Sequence, residues 1–213
     1  MTGLRTQNDM KAKLLDAAMA IIRTKGYSGT TVDDICHSVG VTKGGFFHHF
    51  KSKEELAVSA AGHFAEIAGG VFSTAPYRDL PDPLDRLLGY IDFRKLLLKG
   101  ALPEFTCLLG TMVQEAYATH PAICEACERA LGEHVLMLEA EIVEAMRKYP
   151  SNSAPDYEWT AESLATYIQA VLQGAFVMAK ARGGSEVAAA CLDHLRRYLE
   201  LLFNRPNERE SHA

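Results

Sequence analysis

Residues 30–50, TTVDDICHSVGVTKGGFFHHF, fix two helix starts and the turn between them. Thr31 and Asp34 stand at the spacing at which a Thr hydroxyl and a downstream acid cap each other's backbone. Val39-Gly40-Val41 follows as a turn, because glycine takes the backbone conformation that a Cβ resists. Thr42 is a natural N-cap for a short helix running to Phe50, and Ser52-x-x-Glu55 is a capping box that opens the next. Two short helices at such a turn are how a helix-turn-helix is written. The second is rich in Lys, Gly, aromatics and His, which suits insertion into a DNA major groove.

The remainder of the chain also reads as helix, with no convincing period-two alternation. A first helix over 9–25 places Leu14, Leu15, Ala18, Met19 and Ile22 on one face and ends at Gly26, with Tyr27 folding back as a core aromatic. A fourth helix, 52–74, carries Leu56, Ala60, Phe64, Ile67 and Val71. Further helices are expected over 84–99, 103–118, 122–148, 157–182 and 185–203, about nine in all. PYRDLPDP (76–83) is the best boundary, PSNSAPD (150–156) is a loop, and 205–213 reads as a frayed polar tail. The expected class is all-α. A DNA-binding domain over 8–54 joins through the fourth helix to a larger helical domain over 76–204.

Charge supports an asymmetric molecule. Residues 1–54 carry eight Lys and Arg against five acids, a net of +3, which leaves −8 for the rest of a chain at −5. Phosphate contacts at one end of an acidic body fit that split. A positively charged leader with a cleavage site is absent, as is any uninterrupted apolar run of ~18 residues, so a cytoplasmic, membrane-free protein is expected. The five cysteines, Cys36, Cys107, Cys124, Cys127 and Cys191, are then expected to be reduced thiols. Cys124-x-x-Cys127 has the spacing of half a zinc site, with His120 and His134 nearby but isolated, so no metal or cofactor is expected. No nucleophile elbow, phosphate loop, dinucleotide glycine pattern or His-Glu-x-x-His occurs, and no catalytic site is expected.

The last two helices carry regular apolar stripes: Leu164, Ile168, Val171, Ala175 and Met178 on one, Cys191, Leu195, Tyr198 and Leu202 on the other. Stripes wider than one seam must cover two neighbours. Either the pair is ordinary core, or it meets its copy in a second subunit as a four-helix interface about a two-fold axis.

Residues 11–56 resemble the DNA-binding domain of the TetR/AcrR family of transcriptional regulators. The resemblance is carried by LLDAA (14–18), KGY (25–27), TTVDDI (30–35), VGVTKGGFFHHFKSKEEL (39–56) and the spacing between them. Cys107-Leu-Leu-Gly110 with Glu115 and Pro121 is similar to an AcrR-type C-terminal subgroup. The resemblance implies a repressor that binds a palindromic operator as a homodimer, with recognition helices roughly 34–36 Å apart, and that a small-molecule effector releases. It implies DNA contacts at Thr31, Thr42, Lys43, Gly44, Phe47, His48, His49, Lys51 and Lys53. Thr31 has a competing role as helix cap. Phe47 stands where relatives often carry Tyr, so a thymine methyl or sugar contact replaces the hydroxyl's bond to phosphate.

The helical domain would then hold the effector, with Phe72, Phe93, Phe105, Cys107, Met112, Tyr117, Trp159, Tyr167 and Phe176 as the large or soft side chains available to line its site. Some AcrR-like regulators sense electrophiles through a cysteine near Cys107, which is one alternative to reversible ligand binding. A helical interaction module without DNA binding is the other.

Overall fold

A computed structural model describes residues 2–149 and 159–204 of the chain. The expected loop at 150–156 and the tail from 205 lie outside the described residues, and the helix expected from residue 157 begins at Ala161, after Thr160 as its cap. Among the described residues there are ten α-helices, one 3-10 turn and no strand. The helices are α1 (Thr2–Lys25), α2 (Val32–Val39), α3 (Lys43–His49), α4 (Lys53–Ser73), α5 (Pro83–Leu96), α6 (Leu102–Phe105), α7 (Leu108–Ala116), α8 (Pro121–Lys148), α9 (Ala161–Arg182) and α10 (Glu186–Leu202). The 3-10 turn, Pro76–Asp79, precedes α5.

The all-α expectation holds, but one helix predicted over 103–118 is two. Thr106 takes an extended backbone (φ −80°, ψ 155°), and its N–H and hydroxyl both donate to the Leu102 carbonyl, closing α6 after one turn. Cys107 then caps α7. The 84–99 helix also stops early, at Leu96, before an irregular stretch that includes Gly100 at φ +80°.

The chain packs as two units. The first comprises residues up to Val71 together with Ala101–Gly132. The second comprises Phe72–Gly100 together with residues from Glu133 onward. This division differs from a boundary at 76–83, because α6, α7 and the start of α8 share the core of the N-terminal helices. In that core Leu14, Ala18, Ile22, Tyr27, Ile35, Phe46, Phe50 and Leu56 are buried with Leu108, Met112, Ala116, Ile123 and Cys127. Each of these larger side chains contributes roughly 1.5–3 kcal/mol by leaving water.

α4 is the one described helix long and apolar enough on average to cross a membrane. It opens with Lys53, Glu54 and Glu55, and its Leu56, Ala57, Ala60 and Ala61 are buried in the first core. His63 further along it meets Asp16 of α1 at 3.1 Å.

In the second unit α10 packs against α9 and α5, and α5 against the 3-10 turn. Asp82 fastens the start of α5: its carboxylate accepts from Leu84 N (2.8 Å) and Asp85 N (3.2 Å), and from Lys148 and Tyr149 at the far end of α8. Those four bonds outweigh the cost of its burial and hold the Asp82 pKa well below the usual carboxylate range. Leu164, Ile168, Ala175 and Leu195 are buried within this unit. These four stripe residues pack inward within the chain and leave little surface to a second subunit. Met178 and Tyr198 are exposed, and Val171, Cys191 and Leu202 are half-buried.

Candidate nucleic-acid interface

The α2–α3 pair is held at both starts and at the turn. The Thr31 hydroxyl accepts from Asp34 N (3.1 Å), while the Asp34 carboxylate accepts from the Thr31 N–H (2.8 Å) and hydroxyl (2.6 Å). Lys25 of α1 adds an ion pair to Asp34 at 2.6 Å. Together, Lys25 and the Thr31 donors hold the Asp34 carboxyl far below its ordinary pKa. Gly40 sits at φ +75° and its N–H donates to the carbonyls of Cys36 and His37, ending α2. Thr42 then accepts from Gly45 N at 3.1 Å to start α3.

The turn before α2 is built as firmly. Gly26 ends α1 at φ +82°, and a Cβ there would lie 2.1 Å from the Glu115 carboxylate. That carboxylate accepts from Ser28 N at 2.8 Å, so α7 is fastened to the turn. From α4, Lys53 reaches across: its Nζ donates to the carbonyls of Tyr27 (3.0 Å) and Thr30 (2.9 Å) and lies 4.2 Å from the Tyr27 ring centroid.

These ties leave α3 with two distinct faces. Phe46 and Phe50 are buried, so the helix is anchored through aromatic rings on its inner side. Thr42, Lys43, Gly44, Phe47, His48 and Lys51 are exposed. Positions 44, 47 and 48 stand three and four residues apart, which puts them on one side of α3, and Lys51 follows beyond its end. The exposed Phe47 packs edge-on against Phe46 at 5.2 Å. Two adjacent glycines at the start of α3 leave the backbone open to close approach.

Several expected contact residues are already engaged. Lys53 is a correction: its ammonium is turned inward onto backbone carbonyls and is unavailable as a phosphate clamp. Burial lowers its pKa, which Glu115 partly offsets. Thr31 spends its hydroxyl proton on Asp34. Lys43 is exposed but pairs with Asp33 at 2.9 Å, and an exposed pair of this kind stabilises by about 0–1 kcal/mol and is easily exchanged for a phosphate. His49 is half-buried beside His48, and burial, then the charges of His48 and Lys11, push its pKa below the ordinary value. Lys51 is exposed, and its backbone N–H donates to Glu55 at 2.6 Å. The predicted box at Ser52 is therefore split: Glu55 N bonds Ser52 Oγ at 3.0 Å, but the return bond lands one residue upstream.

The expected effector-lining residues are divided between the two units. Phe105, Cys107, Met112 and Tyr117 belong to the first unit, whereas Phe72, Phe93, Trp159, Tyr167 and Phe176 belong to the second. Tyr117 is 73% exposed and Met112 wholly buried. Trp159 packs on Phe203 and Tyr167 on Tyr198. Phe72 and Phe93 do meet, with ring centroids 5.9 Å apart. Around them stand Tyr77, Tyr90, Arg94 and His134, of which the sequence singled out only His134, beside the Cys124-x-x-Cys127 spacing. Tyr90 and Arg94 at i, i+4 were the available signal.

No group of three or more metal-ligating side chains occurs among the described residues. Cys124-x-x-Cys127 lies on α8, with Cys127 buried and its thiol pushed up to about 12 by burial and by the neighbouring Cys107 and Cys124.

Residues 14–60 match the family model for bacterial regulatory proteins, tetR family. The HTH-type transcriptional repressor KstR2 of Mycobacterium tuberculosis is 36% identical over 86 residues, 38% of this chain and 40% of that protein. The chain thus aligns with well under half the length of that relative. Similar structures cover nearly all of it. A TetR-family transcriptional regulator from Agrobacterium tumefaciens superposes with a TM-score of 0.79 at 19% identity, covering 90% of this chain and 98% of that one. The TetR-family regulator CifR, as a cysteine mutant complexed with 26-base-pair operator DNA, gives 0.70 at 20% identity, covering 86% and 94%.

Proposed function

This chain belongs to the TetR family of bacterial regulatory proteins, and on that premise we propose that it is a cytoplasmic transcriptional repressor. It binds a palindromic operator as a homodimer through α3 and lets go when a small molecule binds in the helical domain. The observation that carries this reading is the exposed face of α3. Thr42, Lys43, Gly44, Phe47 and His48 are held outward by caps at Thr31 and Thr42 and by the buried rings of Phe46 and Phe50. Such a face offers a helix N-terminus and a Lys for phosphate, and a flat apolar ring for a thymine methyl. KstR2 carries the word repressor in its name, which favours repression here.

The test is binding to DNA from upstream of the protein's own gene, followed by fluorescence anisotropy across a salt series. Sequence-preferring binding that weakens steeply with salt is expected. Lys43→Ala should lower affinity and reduce the salt slope by about 1, and His49→Ala should lower affinity with the dimer intact. Unchanged affinity in both variants removes the contact assignment. Loss of any sequence preference in the unmodified protein would leave an interaction module.

A second reading has one observation in its favour. Cys107 is half-buried at the start of α7, within electrostatic reach of the Arg23 guanidinium. Electrophile-driven release from the operator that is lost in Cys107→Ser would support sensing through this thiol, and retained release in that variant would sink it.

A further inference from the structure

The second unit contains a half-buried cation without an acid. Arg94 stands on the last turn of α5, and four other bases of this unit are matched. Arg86 closes on Glu141 at 2.7 Å and on Glu144, Arg78 on Glu141 at 2.7 Å, Lys95 on Asp193 at 2.6 Å, and Arg196 on Asp92 at 3.0 Å. Arg94 has no carboxylate partner among the described residues.

Aromatic and neutral polar groups surround it instead. Its Nε donates to the Tyr90 hydroxyl at 2.8 Å, and Nη2 donates to His134 Nε2 at 2.9 Å. Its Cζ lies 4.2 Å from the Phe72 ring centroid and 5.3 Å from that of Tyr90. The rings of Tyr77, Phe93 and His134 interlock with these at centroid distances of 5.1–5.9 Å. A guanidinium only donates, so His134 Nε2 accepts and the imidazole is neutral with its proton on Nδ1. Burial, then the Arg94 charge, pushes the His134 pKa down to about 3. Burial also pushes the Tyr77 phenol up to about 12. None of these rings supplies a negative charge near neutral pH, and the nearest acid, Glu141, which acts on Tyr77, is already paired with Arg78 and Arg86.

The orientation of Arg94 is fixed by those two bonds, which occupy one edge of its plane. The other edge, Nη1 with the second Nη2 proton, has no acceptor among the described residues. A planar fork held rigid on one side and open on the other is the geometry that takes a carboxylate through both oxygens. We propose that this cage binds the carboxylate of a small organic acid with an aromatic body, Arg94 gripping the acid and the Phe72, Tyr77 and Phe93 rings packing on the body. One positive charge in a neutral aromatic shell matches a monoanion. A phosphate dianion would leave an uncompensated negative charge and no use for the rings. The inference rests on the effector-controlled reading above and names the chemical class of the effector.

The test is calorimetry of the full chain without DNA, using 2-naphthoate, its neutral isostere 2-naphthamide, and inorganic phosphate. Naphthoate should bind, and the amide should bind weaker by about tenfold or more, the difference made by a charge-assisted fork. Arg94→Met should abolish naphthoate binding with an unchanged helical circular dichroism spectrum, since Tyr90 still partners His134. Arg94→Lys keeps the charge without the fork and should lose about tenfold. If Arg94→Met fails to fold, the acid–amide comparison on the unmodified protein and the Lys variant decide. Equal binding of acid and amide, undiminished binding in either Arg94 variant, no binding of naphthoate, or tighter binding of phosphate would each overturn the proposal. Operator binding is measured separately. Its absence alongside naphthoate binding defeats the repressor reading, while intact operator binding without naphthoate binding defeats only this inference.

Discussion

Two lysines ten residues apart, Lys43 and Lys53, look alike in sequence and differ in what they can do. Lys43 projects from the start of α3 with only an exposed ion pair to leave. Lys53 hydrogen-bonds two carbonyls of the α1–α2 turn and sits on the Tyr27 ring. Lys53→Met keeps the aliphatic stem and removes the charge. It should cost about 1–3 kcal/mol in urea denaturation, the value of charged hydrogen bonds and a partly shielded cation–π contact. Operator affinity of the folded fraction should keep its salt slope, and a slope reduced by about 1 would return Lys53 to the phosphate contacts.

His134 makes a pH prediction. Its pKa of about 3 lies below the ordinary 6.5, so between those values the unfolded chain binds a proton that the native chain refuses. Stability from this residue is complete above about pH 6.5 and is lost as pH falls towards 3, at up to about 1.4 kcal/mol per pH unit. His134→Gln, which cannot titrate, should flatten that part of the urea-midpoint profile between pH 6.5 and 5. An unchanged profile would mean that His134 is protonated in the folded protein.

At the scale of elements, the sequence speaks clearly wherever a local rule decides the outcome. The Thr31–Asp34 box, the Gly40 turn, the Thr42 cap and the ends of α1 and α9 at Gly26 and Gly183 are all set by groups within four residues of one another. The buried sides of Phe46, Phe50 and Tyr27 were likewise legible, because a short amphipathic helix has few ways to place its rings. What escaped was decided at longer range. The break at Thr106 leaves no mark on an apolar pattern that continues through it. Lys53 was misassigned because its partners, Tyr27 and Thr30, lie over 20 residues away, and proximity to the recognition helix is no guide to where an ammonium turns. The stripes of α9 and α10 are legible as apolar faces, but whether they face the core or a second subunit is not. Periodicity locates a face without saying which neighbour covers it. Burial of Leu164, Ile168, Ala175 and Leu195 within the unit leaves the outward side to other residues.

For the molecule as a whole, those outward residues bear on the proposed dimer. Tyr167, Val177 and Met178 on α9 and Tyr198 and Leu201 on α10 are exposed, Leu201 at 72%, and the Tyr167 and Tyr198 rings pack on each other at 5.3 Å. A set of this size and apolarity on two adjoining helices is the kind of surface that a two-fold partner covers. A palindromic operator needs that partner, because a single α3 reads one half-site and the second contact becomes effectively intramolecular only once the subunits are joined. The double variant Tyr198→Glu with Leu201→Glu should therefore sediment as a monomer and keep its helical spectrum. It should also lose operator affinity by about a hundredfold or more. Leu195→Ala should behave in the opposite way, losing about 2–5 kcal/mol of stability from a core cavity while the folded fraction still dimerises. A double Glu variant that remains dimeric would place the interface elsewhere. A Leu195→Ala variant that folds at full stability yet sediments as a monomer would return the interface to the inner stripe.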